Sequence, residues 1–226
     1  MHDIERAGGS GSTAKHGQWT VQHHDLQLPD GLIVEPDLSN AVPFLAAALI
    51  AGGSVSIPHW PYHTTQPGGM VPDMLRAMGG HVTLDDADVS SVESGADSVG
   101  DVDRPHAAPI RSRTGLLRVS AGTGLHGLGR YDLSAAGEVA PSIAALAVFA
   151  DSPTTLVGIG HLRGHETNRL QAMVNEIRRI GADAEELPDG LAIRPVPRAA
   201  LHGAVMPTYD AAPMAPRPAL HGRGRP

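Results

Sequence analysis

Apolar positions recur with helical spacing in two places. Val71, Met74, Leu75 and Met78 fall at i, i+3, i+4 and i+7, which predicts an amphipathic helix ended by Gly79-Gly80. Leu170, Met173, Val174, Ile177 and Ile180 give a second one, with Thr167 as its cap and Gly181 as its stop. An apolar, Ala-rich helix precedes each. The first covers 41–51, capped by Ser39, with Pro43 in its first turn and Gly52-Gly53 as its stop. The second covers 137–150 and is stopped by Asp151-Ser152-Pro153. Short alternating or β-branched runs read as strands: 18–22, 32–34, Val55 to Ile57, 82–84, 116–120, 155–157 and 191–193.

Aligning Met78-Gly79-Gly80 with Ile180-Gly181-Ala182 also puts Val71 on Met173 and Leu75 on Ile177. The chain therefore reads as two copies of an αβαβ unit, each preceded by a strand. Repeated units of this kind imply an α/β fold with helices packed on sheets of equivalent strands. Three stretches stand apart. Residues 1–17 are rich in Gly, Ser and His and read as a disordered terminus. Residues 85–115 are rich in Ser, Asp, Gly and Pro without apolar period and read as a disordered insertion. Residues 206–226 are rich in Pro, Arg and Gly and cannot form a third copy as written.

Composition narrows the class. The 226 residues are 41% hydrophobic, enough for a core, and carry a net charge of −7. That sign argues against a nucleic-acid partner, which needs a basic face. There is no Cys, which removes disulfides and thiolate chemistry. The start, Met1-His2-Asp3-Ile4-Glu5-Arg6, has no basic segment followed by an apolar one and does not read as a signal peptide, and the longest apolar run, 44–51, is too short to span a bilayer. A cytoplasmic protein without a membrane partner is expected. Arg carries nearly all the positive charge, and Lys15 is the single lysine.

Candidate chemistry is unevenly spread. Gly122-Thr123-Gly124-Leu125-His126-Gly127 matches a dinucleotide fingerprint. No helix start follows its third Gly, so it reads as a link between repeats. His161 and His165 sit four apart, but Arg169 stands where a zinc-protease pattern needs His, and no third ligand is evident. The densest polar cluster is 161–169, between a strand and a helix N-terminus, where free N–H groups favour anions. Its arginines and Glu166 suit a phosphate or carboxylate ligand and a proton-transfer group. They equally suit a capped helix with solvated charges. Glu138 lies at the start of an Ala-rich helix, also after a Gly. It could share a cleft with Glu166 as an acid and base pair, or simply complement the helix dipole.

The 162–170 run, Leu-Arg-Gly-His-Glu-Thr-Asn-Arg-Leu, resembles the [KH]-E-T-[DN]-R signature of the 5-enolpyruvylshikimate-3-phosphate synthase (3-phosphoshikimate 1-carboxyvinyltransferase) family. Residues 34–41, Val-Glu-Pro-Asp-Leu-Ser-Asn-Ala, and 137–142, Gly-Glu-Val-Ala-Pro-Ser, resemble two further family segments in the right order. The resemblance runs from about Trp19 to about Asp210. It implies an inverse α/β barrel whose helix N-termini face an inter-domain cleft. Residues 18–34 would then end the N-terminal domain, and 35–205 would be two of the repeated units of the C-terminal domain.

The implied reaction moves the enolpyruvyl group of phosphoenolpyruvate to shikimate 3-phosphate and releases phosphate, within aromatic amino acid biosynthesis. No cofactor is implied. By resemblance Glu166 moves the proton at the methylene carbon and Glu138 handles the hydroxyl proton. Arg169 grips phosphoenolpyruvate, and His161 and His165 stand near shikimate 3-phosphate. Family members are much longer, and the lysines and further arginines of their site have no counterpart here. After Thr208-Tyr209-Asp210 the family's H-R-M-A is replaced by Ala-Ala-Pro-Met. The expectation is a truncated or frameshifted fragment, inactive alone, with a separate N-terminal half as a possible partner. The alternatives are a relative of UDP-N-acetylglucosamine enolpyruvyl transferase and a non-catalytic degenerate half-barrel.

Overall fold

A computed structural model describes residues 35–86, 113–164 and 167–207 in full and the backbone of 13–15 and 18–20. The chain divides into two compact units, one of residues 1–36 and 88–113, the other of 37–87 and 114–226. In the first unit, β1 (Thr13–Lys15) pairs antiparallel with β2 (Gln18–Thr20), Thr13 opposite Thr20. Residues 1–17 are thus not uniformly irregular: ladder pairing outweighs the composition of residues 13–15. The strand expected at 32–34 lies outside the described residues.

The second unit holds both repeats. Its first copy runs α1 (Val42–Ala51), β3 (Ser54–Pro61), α2 (Val71–Ala77), β4 (His81–Asp86) and β5 (Thr114–Ser120). A further strand, β6 (Gly129–Asp132), leads into the second copy, which runs α3 (Ala140–Ala147), β7 (Thr154–Val157), α4 (Arg169–Arg179), β8 (Asp183–Leu187) and β9 (Gly190–Arg194). The repeat is therefore αβαββ. The strand at 116–120, expected to introduce the second copy, instead closes the first, and the introducing strand is β6.

Sheet order repeats as well. β3-β5-β4 are antiparallel throughout, and β7-β9-β8 follow the same scheme, with β6 added parallel to β7. The alternation in Asp183-Ala184-Glu185 hides a strand whose outward residues are acidic. Ala184 is fully buried, and Asp183 and Glu185 pair with Arg194 across the ladder. Cross-strand pairing makes so polar a segment tolerable. The irregular span set at 85–115 is likewise narrower, since Asp85 pairs with Leu116 and Asp86 with Gly115. Residues 87–112, like 208–226, lie outside the described residues.

Helix starts also differ from expectation. Ser39 does not cap α1. It opens a 3-10 turn at Ser39–Ala41, and the Asp37 carboxylate accepts from the Ser39 amide at 3.0 Å and from Asn40 Nδ2 at 2.9 Å. A similar turn, Gly137–Val139, precedes α3. Asn168, not Thr167, caps α4, its Oδ1 accepting from the Gln171 amide at 3.1 Å.

Helix ends repeat closely. Gly79 (φ 93°) and Gly181 (φ 86°) close α2 and α4 in the left-handed region, where glycine carries no Cβ penalty. The Gly80 amide donates to Leu75 O and the Ala182 amide to Ile177 O. Arg76 Nε reaches Val82 O, and Arg178 Nε reaches Ala184 O. The links that leave each copy dock alike: the His126 amide donates to Met78 O and the His202 amide to Ile180 O. Leu125-His126-Gly127 and Leu201-His202-Gly203 thus form a second repeat signature. The 122–127 segment serves as this link, and no helix opens behind it.

One core joins the copies. α1 packs against α3, with Val42, Leu45, Ile143 and Leu146 all fully buried. Removing such a side chain costs about 2–5 kcal/mol. On α1 apolar residues occur all round, and Phe44 remains 65% exposed.

Candidate active site

All four helix starts gather at one edge of the second unit. The Leu38 amide, before the turn leading to α1, donates to Gln66 Oε1 at 3.1 Å. The turn Pro67–Met70, before α2, touches the turn Gly137–Val139, before α3. The turn Gly160–Gly164 packs on α4. It also carries the His161 imidazole onto Gly137: a Cβ on Gly137 would lie 2.8 Å from His161 Nε2. Gly137 is buried, and only a residue without a side chain lets the ring approach so closely. Helix starts expose free N–H groups and the positive dipole end, so this edge favours anionic ligands.

The sequence candidates distribute as follows. Glu138 is exposed, next to the Gly137 that His161 covers. His161 is exposed at the same edge. Arg169 is half-buried as the first residue of α4, with its Nε buried. These three come from two turns and one helix start of a single repeat. His165 and Glu166 lie outside the described residues.

Arg163, counted in the polar cluster, points elsewhere. Its Nε donates to Glu186 Oε1 at 2.9 Å and its Nη1 to Pro188 O at 2.6 Å, while Nη2 bonds Leu187 O. Asp189 was legible only as a turn residue. Its carboxylate accepts from the Gly158 amide at 3.0 Å and the Gly160 amide at 3.2 Å. Such a contact, 29 to 31 residues away in the chain, leaves no local signal. Among the described residues, no group of three or more His, Asp or Glu could hold a metal ion.

The opposite edge has another character. A cavity of about 420 Å³ lies among the ends of α1 and α3 and the links 121–125 and 196–201. Arg198 sits 5.7 Å from the Phe149 ring centre, and its Nη2 donates to Ile50 O at 3.5 Å. A cation there complements the carbonyl ends of the helices. Nearby, His126 Nδ1 is 2.7 Å from Asp151 Oδ2. The Ser152 hydroxyl, followed by His126, holds the Asp151 carboxyl below the usual range. The amide and hydroxyl of Ser134 do the same for Asp132.

The fold and site define an α/β repeat protein whose helix starts converge on one chemically equipped edge. Comparison with known proteins gives this class a family. The family model for EPSP synthase (3-phosphoshikimate 1-carboxyvinyltransferase) matches residues 4–215, and the chain belongs to that family. It is 51% identical over 208 residues to the 3-phosphoshikimate 1-carboxyvinyltransferase of Bifidobacterium longum (strain DJO10A), covering 92% of this chain and 41% of that protein. It is 41% identical over 219 residues to the enzyme of the same name from Kocuria rhizophila, covering 97% of this chain and 42% of that protein. The chain thus spans about two-fifths of the length of these relatives. An EPSP synthase structure from Acinetobacter baumannii superposes with a TM-score of 0.55 at 20% identity, over 86% of this chain and 40% of that one. The enolpyruvyl transferase-like α/β fold follows. No described helix is long and apolar enough to cross a membrane.

Proposed function

We propose that this chain contributes part of a catalytic site that moves the enolpyruvyl group of phosphoenolpyruvate to the 5-hydroxyl of shikimate 3-phosphate. The setting is cytoplasmic aromatic amino acid biosynthesis. The hydroxyl oxygen adds to the central carbon of phosphoenolpyruvate while the methylene carbon gains a proton. The tetrahedral adduct then loses phosphate and one proton of the newly formed methyl group, leaving an enol ether. Glu138 takes the hydroxyl proton, and Glu166 delivers and recovers the methylene proton. Arg169 holds phosphoenolpyruvate, and His161 and His165 lie beside shikimate 3-phosphate.

The observation that carries this reading is the seating of His161 on Gly137, beside Glu138, at the gathered helix starts. An exposed carboxylate and an imidazole on an anion-favouring edge suit a hydroxyl acceptor that bears a phosphate. Clamping two anionic substrates needs several cations at once, so the chain alone is expected to be inactive. The test is phosphate release and calorimetry with shikimate 3-phosphate. Each is run on the chain alone and with the remaining portion of the Bifidobacterium longum relative supplied in trans. Turnover only in the mixture supports a shared site. Neither binding nor turnover in either sample overturns the reading.

A further inference from the structure

We infer that Asp189 and Arg163 are positioning residues that lock the turn presenting His161 to Gly137 and Glu138, a role that rests on reading this edge as the transfer site. The lock is an interlock between two chain reversals. One is the β8–β9 turn, which carries Asp189. The other is the 158–164 segment between β7 and α4, which carries His161.

Both Asp189 carboxylate oxygens are used, Oδ2 by the Gly158 amide at 3.0 Å and Oδ1 by the Gly160 amide at 3.2 Å. The Ile159 amide between them donates to the Asp189 carbonyl at 3.2 Å. Three successive amides ahead of His161 are therefore held by one residue. Behind His161, the Leu162 amide donates to Ile159 O and the Leu162 side chain is buried. Arg163 then spreads its guanidinium over Glu186, Leu187 and Pro188 of the same hairpin. His161 is thus bracketed on both sides by contacts to one turn, while its own ring points away to Gly137. Charge-assisted bonds of this number hold a loop more firmly than neutral ones.

The first copy lacks this device. Counted along the chain from the equivalent strand residues Ile57 and Leu156, Tyr62 falls where His161 does, and its hydroxyl reaches Asp86 Oδ1 at 2.9 Å. The aligned side chain there staples its own loop to the sheet. In the second copy that duty passes to Arg163 and Asp189, and the aligned side chain is released toward the site.

A mere staple would lower stability without moving the His161 ring. Positioning predicts that the ring moves. The test is NMR on the full chain, isotope-labelled, in wild type, Asp189→Ala, Asp189→Asn and Arg163→Lys. The readouts are the nuclear Overhauser contact between the His161 ring and the Gly137 α-protons, and exchange of the Gly158 and Gly160 amides. Asp189→Ala is expected to abolish the contact and to speed both amides by at least ~10-fold, leaving the His126 and His202 ring signals unmoved. Asp189→Asn keeps one acceptor oxygen and should retain part of the contact. Arg163→Lys, whose compact ammonium lacks the planar fork that spans the three acceptors, should weaken it. An unchanged His161 contact in Asp189→Ala overturns the proposal. Should that variant not fold, an unchanged contact in both Asp189→Asn and Arg163→Lys does so instead. Loss of the contact in a chain that binds no shikimate 3-phosphate, even with the remaining portion of the Bifidobacterium longum relative supplied, upholds the positioning role and overturns the transfer reading.

Discussion

The two copies of the repeat agree at one end of their helices and disagree at the other. Where α2 and α4 end, the same left-handed glycine recurs, the same arginine grips the next strand, and the same histidine amide docks on the helix. Where the helices start, the first copy offers Asn40, Gln66 and Gly68, and the second offers Glu138, His161 and Arg169. Repetition thus keeps what closes the unit, and chemistry varies on the edge that closing does not constrain. Loops on a rigid scaffold carry function for this reason.

The comparison breaks first at its shared core. Leu45→Ala in α1 and Ile143→Ala in α3 should each cost about 2–5 kcal/mol, measured by urea unfolding. Each should shift a single transition, since the helices pack on one another. Two separate transitions would show copies that fold independently.

Next come the helix starts. Gly137→Ala puts a methyl 2.8 Å from His161 Nε2, the far end of an exposed side chain that can swing aside, so it should displace the His161 ring signals at a cost of no more than about 1 kcal/mol. Ser39→Ala, in the corresponding turn of the first copy, removes only the exposed hydroxyl bond to Asp37 and should stay within about 1 kcal/mol while leaving that ring unmoved. An unmoved His161 ring in Gly137→Ala would deny that the two starts differ.

The links differ in acid. His126 has a carboxylate partner, whereas His202 Nδ1 lies 3.2 Å from the Gly203 carbonyl. The Asp151 carboxyl is held low, so its contribution is complete above the unfolded aspartate value, about 3.9. It is lost as pH falls through the still lower folded value. Asp151→Asn should therefore be less stable than wild type near neutral pH, and the gap should close below about pH 4. A gap that persists to pH 2 would contradict this.

The smallest effect concerns backbone strain. Counted along the chain, His59 (φ 60°) and Gly158 (φ 77°) each lie two residues past the equivalent strand residues Ile57 and Leu156. Among the described residues, His59 alone places a side chain in the left-handed region. His59→Gly should be neutral or gain up to about 1 kcal/mol in thermal unfolding. Gly158→Ala should lose more than that, because its Cβ would meet Asp132 Oδ1 and Ser134.

These contrasts also mark how far the sequence was readable. The amphipathic helices could be seen because period and glycine stops agree in both copies. β6 and β8 could not: Gly129-Arg130-Tyr131-Asp132 and Asp183-Ala184-Glu185 are polar, and pairing makes them strands, β6 with the more distant β7 and β8 with β9 across a tight turn. Motif order pointed to Glu138, His161 and Arg169. It gave no hint that Gly137 seats a ring, that Arg163 faces the hairpin, or that Asp189 holds two amides, since all three are contacts between segments. Capping differs at Ser39 and Thr167 because Asp37 draws the Ser39 amide and hydroxyl into a turn of its own, and Asn168, one residue on, takes the Gln171 amide.

The twice-used Leu-His-Gly link has a consequence for symmetry. Both dockings use the backbone amide of the histidine and leave its ring out of the closure. The ring is thus open to divergence where the backbone is not: His126 turns its Nδ1 to Asp151, and His202 turns its own to the Gly203 carbonyl.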